Sequence, residues 1–212
     1  EVDTLSLHAA LPISLIDGNK LIVTPGGAQG AIVALDKKTG KAIWQSKDLK
    51  DGAQYSSVIV ADVKGKRQYI QLFMKTLAGV DAETGDVLWT SKWPGRTAVI
   101  PTPIYSDGQV YISSGYGVGS KLVDITGGEA KDVWSNKVMK NHHGGVIKVG
   151  DHLYGFSDGP GLVCQDFKTG EQVWNERGEG KSKGAVHYVD GMLVCIDESE
   201  GSCFLAKASP DG

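Results

Sequence analysis

The sequence has little that would tie it to a membrane, a nucleic acid or a disulfide framework. No apolar run approaches the roughly 20 residues that a helix needs to cross a bilayer. Cations are not in excess: 22 Lys and Arg stand against 25 Asp and Glu, for a net charge of −3. A phosphate backbone is bound by clustered cations, and these are missing. The short basic clusters Lys64-Gly65-Lys66-Arg67 and Lys181-Ser182-Lys183 read as solvated turns. Cys164, Cys195 and Cys203 are too few for a disulfide framework and form no C-x-x-C pair. No stretch carries a long apolar stripe at i, i+3, i+4, i+7 spacing, so helices have little support. Glycine is in excess, at 29 of 212 residues where about 7 per cent is usual. It follows no G-X-Y period, which excludes collagen and points to many tight turns.

Four of the five tryptophans recur behind a fixed preamble. Asp36, Gly40 and Trp44 stand in Ala34-Leu35-Asp36-Lys37-Lys38-Thr39-Gly40-Lys41-Ala42-Ile43-Trp44. Asp81, Gly85 and Trp89 repeat that spacing, and so do Asp166, Gly170 and Trp174; between Asp124 and Trp134 it is two residues longer. The Trp-to-Trp steps are 45, 45 and 40 residues, a period that marks solenoids, propellers or arrays. Short β-branched and aromatic runs bounded by Gly, Asp or Asn decide for strands, as in Lys20-Leu21-Ile22-Val23-Thr24 and Gln109-Val110-Tyr111-Ile112-Ser113. Each unit reads as four antiparallel strands, with the Asp-x-x-Thr-Gly turn leading into an outer strand that ends at Trp. Asp can bind backbone N–H groups two or three residues on, and Gly supplies the positive φ. The expected fold is all-β, a β-propeller of four-stranded blades. The repeat tryptophans are expected to pack against the neighbouring blade, with Trp44, Trp89 and Trp174 largely buried and Trp134 more variable. Trp93 is expected in a connection beside Pro94. Apolar residues in the two terminal blades are expected to be more exposed than those in the middle.

The pattern Ala-x-Asp-x-x-Thr-Gly-x-x-x-Trp resembles the tryptophan-docking repeat of quinoprotein alcohol dehydrogenases. That repeat is shared by the wider set of PQQ-like propellers, which includes the outer-membrane protein assembly lipoprotein. The resemblance covers residues 15–212, read as one partial propeller domain. It implies a ring of seven or eight blades, of which this chain would supply four to five. Residues 1–14 fit no repeat and resemble translated sequencing-adapter read-through, so they are set aside as a non-native leader. Such propellers are usually periplasmic or otherwise exported.

The repeat residues are scaffold, and function in repeat proteins sits in what varies between units. The resemblance leaves two functional readings. One is a non-catalytic binding or scaffolding module that presents a protein partner or small ligand with its propeller face. The other is a PQQ-dependent alcohol dehydrogenase with PQQ and calcium on the axis. Against the second, no Cys-Cys pair occurs and no Asp or Glu begins an inner strand. No cofactor is evident, and no metal site is expected. The adjacent His142 and His143 would point to opposite faces of an extended strand and share no ion readily. Pro25-Gly26-Gly27-Ala28-Gln29-Gly30 lacks the Lys-Ser/Thr ending of a phosphate loop. The segments just before the inner strands converge at the mouth of a propeller's channel. Candidate ligand-binding residues there are Gln54, Tyr55, Arg96, His142, His143 and Lys183, with Arg96 and Lys183 favouring anions.

Overall fold

The structure is a computed structural model and describes residues 14–176 and 183–212. The first 13 residues of the expected leader lie outside that range, as do Lys181 and Ser182. Among the described residues every regular element is a strand. The first blade comprises β1 (Leu15–Asp17), β2 (Lys20–Val23), β3 (Val33–Asp36) and β4 (Ala42–Gln45). The second comprises β5 (Ile59–Val63), β6 (Lys66–Leu72), β7 (Thr76–Asp81) and β8 (Val87–Lys92). The third runs through β9 (Ile104–Ser106), β10 (Gln109–Ser114), β11 (Gly119–Asp124) and β12 (Lys131–Asn136). The fourth has β13 (Val146–Val149), β14 (His152–Ser157), β15 (Gly161–Asp166) and β16 (Gln172–Glu176). A fifth, three-stranded sheet holds β17 (Gly184–Val189), β18 (Met192–Asp197) and β19 (Cys203–Lys207). Within each sheet the strands pair antiparallel in chain order.

Alternation along the strands produces the stack of blades. Tyr69 of β6 faces a core shared with Ile22, Ile32 and Ala34 of the first blade. Its neighbour Ile70 faces the opposite core, shared with Val110, Ile112 and Val123 of the third. Tyr111, Leu122, Leu153 and Val163 join the third blade to the fourth. Tyr154, Phe156, Leu193 and Cys195 join the fourth to the fifth. Each sheet is therefore apolar on both faces, as radial packing requires. The terminal blades keep one face open: Ile16 is 66 % exposed at one end and Leu205 63 % at the other.

Each blade has a turn end and a connecting end. The turn end carries the first-to-second and third-to-fourth hairpins. All five first hairpins have two-residue loops. Lys64-Gly65, Asp107-Gly108 and Asp190-Gly191 have positive φ at both residues, while Gly18 and Gly150 take it at the first position. These are the primed turns whose twist matches the strands. In the third-to-fourth hairpin, Asp36 Oδ1 accepts from the N–H groups of Lys38 and Thr39 at 3.1 and 2.8 Å and from the Thr39 hydroxyl at 2.8 Å. The Thr39 hydroxyl and these amides hold the Asp36 carboxyl below the usual range. Asp81 and Asp166 make the same turn with the N–H groups of Thr84 and Thr169. Asp124 Oδ1 instead accepts from the N–H and hydroxyl of Thr126, only two residues on, in the longer turn of the third repeat. A bulge follows the residue opposite each Trp, namely Ala34, Gly79, Leu122 and Cys164. The two extra residues of the third repeat are absorbed in its turn, so Trp134 still faces Leu122.

The tryptophans dock across blades in three of four cases. Trp44 Nε1 donates to Ala82 O at 3.3 Å, Trp134 Nε1 to Phe167 O at 3.1 Å and Trp174 Nε1 to Ser209 O at 2.9 Å. Trp44 lies on Gly85 and Trp134 on Gly170. Trp89 differs: its ring lies on Gly79 of its own sheet and Nε1 donates to Gln68 Oε1 at 2.8 Å. The third blade's altered turn leaves no glycine under Trp89. Trp44, Trp134 and Trp174 are partly buried against the inter-blade cores, and Trp89, at 5 % exposed, is the most deeply buried of the four. An indole laid across the outer rim keeps one face open to solvent. Trp93, just after β8, is 4 % exposed and donates to Ser114 Oγ at 3.0 Å.

A Cβ on Gly85 would fall 2.4 Å from the Trp44 ring, and Gly85 has φ +78°. Gly85→Ala is expected to cost about 2–4 kcal/mol, from left-handed backbone strain plus overpacking. Gly40→Ala, with φ +71° but nothing within 4 Å, is expected to cost only about 1–2 kcal/mol. Denaturant melts of the two variants would separate docking from turn strain; equal losses would remove the docking role.

Asp17 ties the first blade to the second at the turn end. Arg67 donates to its two oxygens at 2.9 and 2.8 Å, and the Tyr69 hydroxyl donates at 2.7 Å. The Arg67 guanidinium, aided by Tyr69, holds the Asp17 carboxyl down to about 2 against the opposing effect of burial. A depressed folded pKa stabilises above the unfolded value of about 3.9, and this stabilisation is lost as pH falls through the folded value. Wild-type melting temperature is therefore expected to drop between about pH 4 and pH 2. Asp17→Asn is expected to melt lower at pH 7 and to show a shallower acid slope; parallel profiles would refute the linkage.

Candidate functional site

The connecting end carries the second-to-third loops and the links between blades. Gln54, Tyr55, Arg96, His142, His143 and Lys183 all lie there, in the links that precede β5, β9, β13 and β17. Counting back from the uniform two-residue hairpins puts Ser57, Ile100, His143 and Lys183 in register. Gln54 stands three residues earlier, where its side chain serves the neighbouring link: Val99 N–H donates to Gln54 Oε1 at 2.9 Å. Gln54 Nε2 is spent on Ala53 O at 2.7 Å.

The links before β5 and β9 lie side by side. Tyr55 N and Ser56 N both donate to Val99 O, at 3.0 and 3.2 Å. The Tyr55 ring is 53 % exposed and has no side-chain partner among the described residues. Three anchors pin the segment that carries Arg96. Trp93 is buried before it, Gly95 presses on the Met74 carbonyl, and Val99 is fully buried after it. Between these anchors the chain makes a γ-turn: Ala98 N donates to Arg96 O at 2.6 Å, with Thr97 at φ +56°. That hand of γ-turn is rare and strained, more so with a β-branched residue at its centre. The Arg96 guanidinium is exposed and unpaired among the described residues.

His142 and His143 reach different carboxylates. His142 Nδ1 lies 3.2 Å from Asp158 Oδ2, which also accepts from Tyr116 N at 3.2 Å. The Tyr116 ring packs on the His142 ring with centroids 4.1 Å apart. Gly115 leaves room for this pair, because a Cβ there would fall 2.9 Å from His142 Nδ1. His143 Nε2 lies 2.7 Å from Glu198 Oε2 in the fifth blade. Glu198 N in turn donates to Lys183 O at 3.1 Å. The His142–His143 dipeptide thus bridges the third, fourth and fifth blades. Tyr116, Asp158 and Glu198 were not legible as site residues. They stand 16 to 55 positions from their partners, and only the glycines around Tyr116 and Asp158 mark those stretches as loops.

The dehydrogenase alternative requires a calcium and quinone site. Among the described residues no three His, Cys, Asp or Glu side chains gather where an ion could be held. Cys164 and Cys195 are buried in different strands, and Cys203 is exposed on a third. The described residues therefore do not fit that arrangement. They offer, at the connecting end, exposed Tyr and Arg side chains on a braced backbone and two imidazole–carboxylate pairs.

Four-stranded blades stacked face to face, with tryptophans docking from blade to blade, define a PQQ-like repeat β-propeller. Within that class the chain belongs to the outer membrane protein assembly factor BamB family, whose model matches residues 6–176 and 130–209. An outer membrane protein assembly factor BamB from Nitrosomonas eutropha is 27 % identical over 158 residues, covering 69 % of this chain and 34 % of that protein. BamB from Moraxella catarrhalis superposes with a TM-score of 0.68 at 18 % identity, over 92 % of this chain and 63 % of that one. Quinohemoprotein alcohol dehydrogenase ADHIIG from Pseudomonas putida HK5 superposes with a TM-score of 0.58 at 17 % identity, over 93 % and 42 %. At these identities both superpositions speak to the fold alone. The chain spans about a third of the curated relative's length.

Proposed function

We propose that this chain is part of the propeller of a non-catalytic assembly factor that works in the periplasm and binds a protein partner during outer-membrane protein assembly. Membership of the BamB family over most of the chain carries this reading. The connecting end supplies the docking surface, with Tyr55 and Arg96 as exposed anchors on a backbone fixed before the partner arrives. Aromatic and Arg side chains are the residues that most often dominate interfaces, and a preformed backbone lowers the ordering cost of binding. No helix among the described residues is long and apolar enough to cross a membrane.

Deleting the gene in its host and quantifying folded outer-membrane proteins tests the reading. A fall restored by the intact gene is the expected result. Unchanged outer-membrane proteins, together with dye reduction by the full-length product given PQQ, calcium and an alcohol, would replace this reading with the dehydrogenase one.

A further inference from the structure

Among the described residues, four buried polar atoms without a partner lie along one seam. Thr24 Oγ1, Ser46 Oγ, Ser56 Oγ and Gln71 Oε1 have no hydrogen-bond partner among the described residues. Their residues are all 1 % exposed or less. They also share one seam. Ile22, Trp44, Val58 and Tyr69 belong to the core between the first and second blades. Thr24, Ser46, Ser56 and Gln71 each stand two residues from one of those four. Gln71 lies within β6, and Ser56 in the link before β5. Thr24 and Ser46 come just after β2 and β4, where Ser46 N still donates to Ile32 O at 2.9 Å. Side chains two apart along an extended chain face the same way. Each polar residue thus extends an apolar row of that seam by one step towards the connecting end. Gln71 Nε2 fixes its amide by donating to Ser56 O at 2.9 Å and Leu72 O at 3.0 Å, which leaves Oε1 as the unpaired acceptor.

Elsewhere Asn141 Oδ1 and Asp158 Oδ1 are also buried without a partner among the described residues, but the hydroxyls of Ser113 and Ser157 are closed within the chain. The Ser113 hydroxyl donates to Met139 O and the Ser157 hydroxyl to Val138 O, each at 2.9 Å. Buried hydroxyl and amide groups are costly when unpaired, and ordered water is the usual remedy. A buried water makes two to four hydrogen bonds, and this set supplies three hydroxyl donors and an amide acceptor. None of the four side chains is ionisable, so nothing would offset the desolvation of an ion there.

We infer that Thr24, Ser46, Ser56 and Gln71 form an internal site for ordered water in the seam between the first and second blades. The site is independent of the partner-binding reading. A crystal structure of the protein tests it, together with melts of Thr24→Val, Ser46→Ala and Ser56→Ala. The expected result is an ordered oxygen within about 3.2 Å of at least two of the four atoms. Each variant is expected to melt about 2–4 °C lower, because it breaks a satisfied network. A dry unpaired hydroxyl behaves oppositely, since deleting it removes a penalty. Well-ordered density with no oxygen near the four atoms, or variants that melt at the same temperature or higher, would overturn the assignment.

Discussion

Trp89→Ala is expected to cost about 3–5 kcal/mol, the usual loss for a large buried aromatic, and more than the same change at Trp44. Trp89 lies in the core between the second and third blades, among Ile70, Leu72, Val110 and Val123. It sits so close to Gly79 that a Cβ there would meet the indole at 2.3 Å. Truncation opens a cavity that two packed sheets cannot easily close. It also strips the partner from Gln68 Oε1 in a residue only 5 % exposed, which adds the cost of an unpaired buried acceptor. Trp44 is half-buried and bonds a backbone carbonyl at the longer distance of 3.3 Å. Urea unfolding of the two variants measures the difference. A Trp44→Ala loss equal to or larger than that of Trp89→Ala would contradict this account of the seams.

Arg96→Ala is expected to weaken partner binding about 10- to 100-fold, about 1.4–2.8 kcal/mol, while stability stays within about 0.5 kcal/mol. Arg96 is exposed and unpaired among the described residues, so its removal leaves no buried group orphaned. Its backbone is held by the strained Thr97 turn and by the buried Trp93 and Val99 on either side. Strain of this kind persists only where the surroundings over-determine it, and here it aims a guanidinium outward from the connecting end. Guanidinium pairs with carboxylate in two-pronged geometry, which Lys reproduces poorly. Arg96→Lys is therefore expected to recover only part of the affinity. Titration of the full-length protein against the purified outer-membrane assembly complex of its host reads both variants. Wild-type affinity in Arg96→Ala would remove the residue from the interface.

The strand-and-turn chemistry was open to reading in the linear sequence because it is local. Asp-x-x-Thr-Gly closes its own hydrogen bonds within five residues, and two-residue Gly-containing hairpins set their own register. Period-2 alternation with apolar residues on both faces then requires sheets stacked on both sides, and four copies at matching spacing make a propeller. The turn itself does not say where in a blade it falls. Asp197 makes the same turn, accepting from Ser199 N and Glu200 N at 3.0 Å each, yet it joins β18 to β19 at the connecting end. Tertiary structure decided what depends on contacts between blades. It laid Trp44 and Trp134 on the glycines of the following blade and turned Trp89 back onto Gly79. It sent His142 and His143 to separate carboxylates, and it drew the links bearing Tyr55 and Arg96 together. Such contacts join residues from 10 to 55 positions apart through side chains of ordinary type, so no local pattern records them.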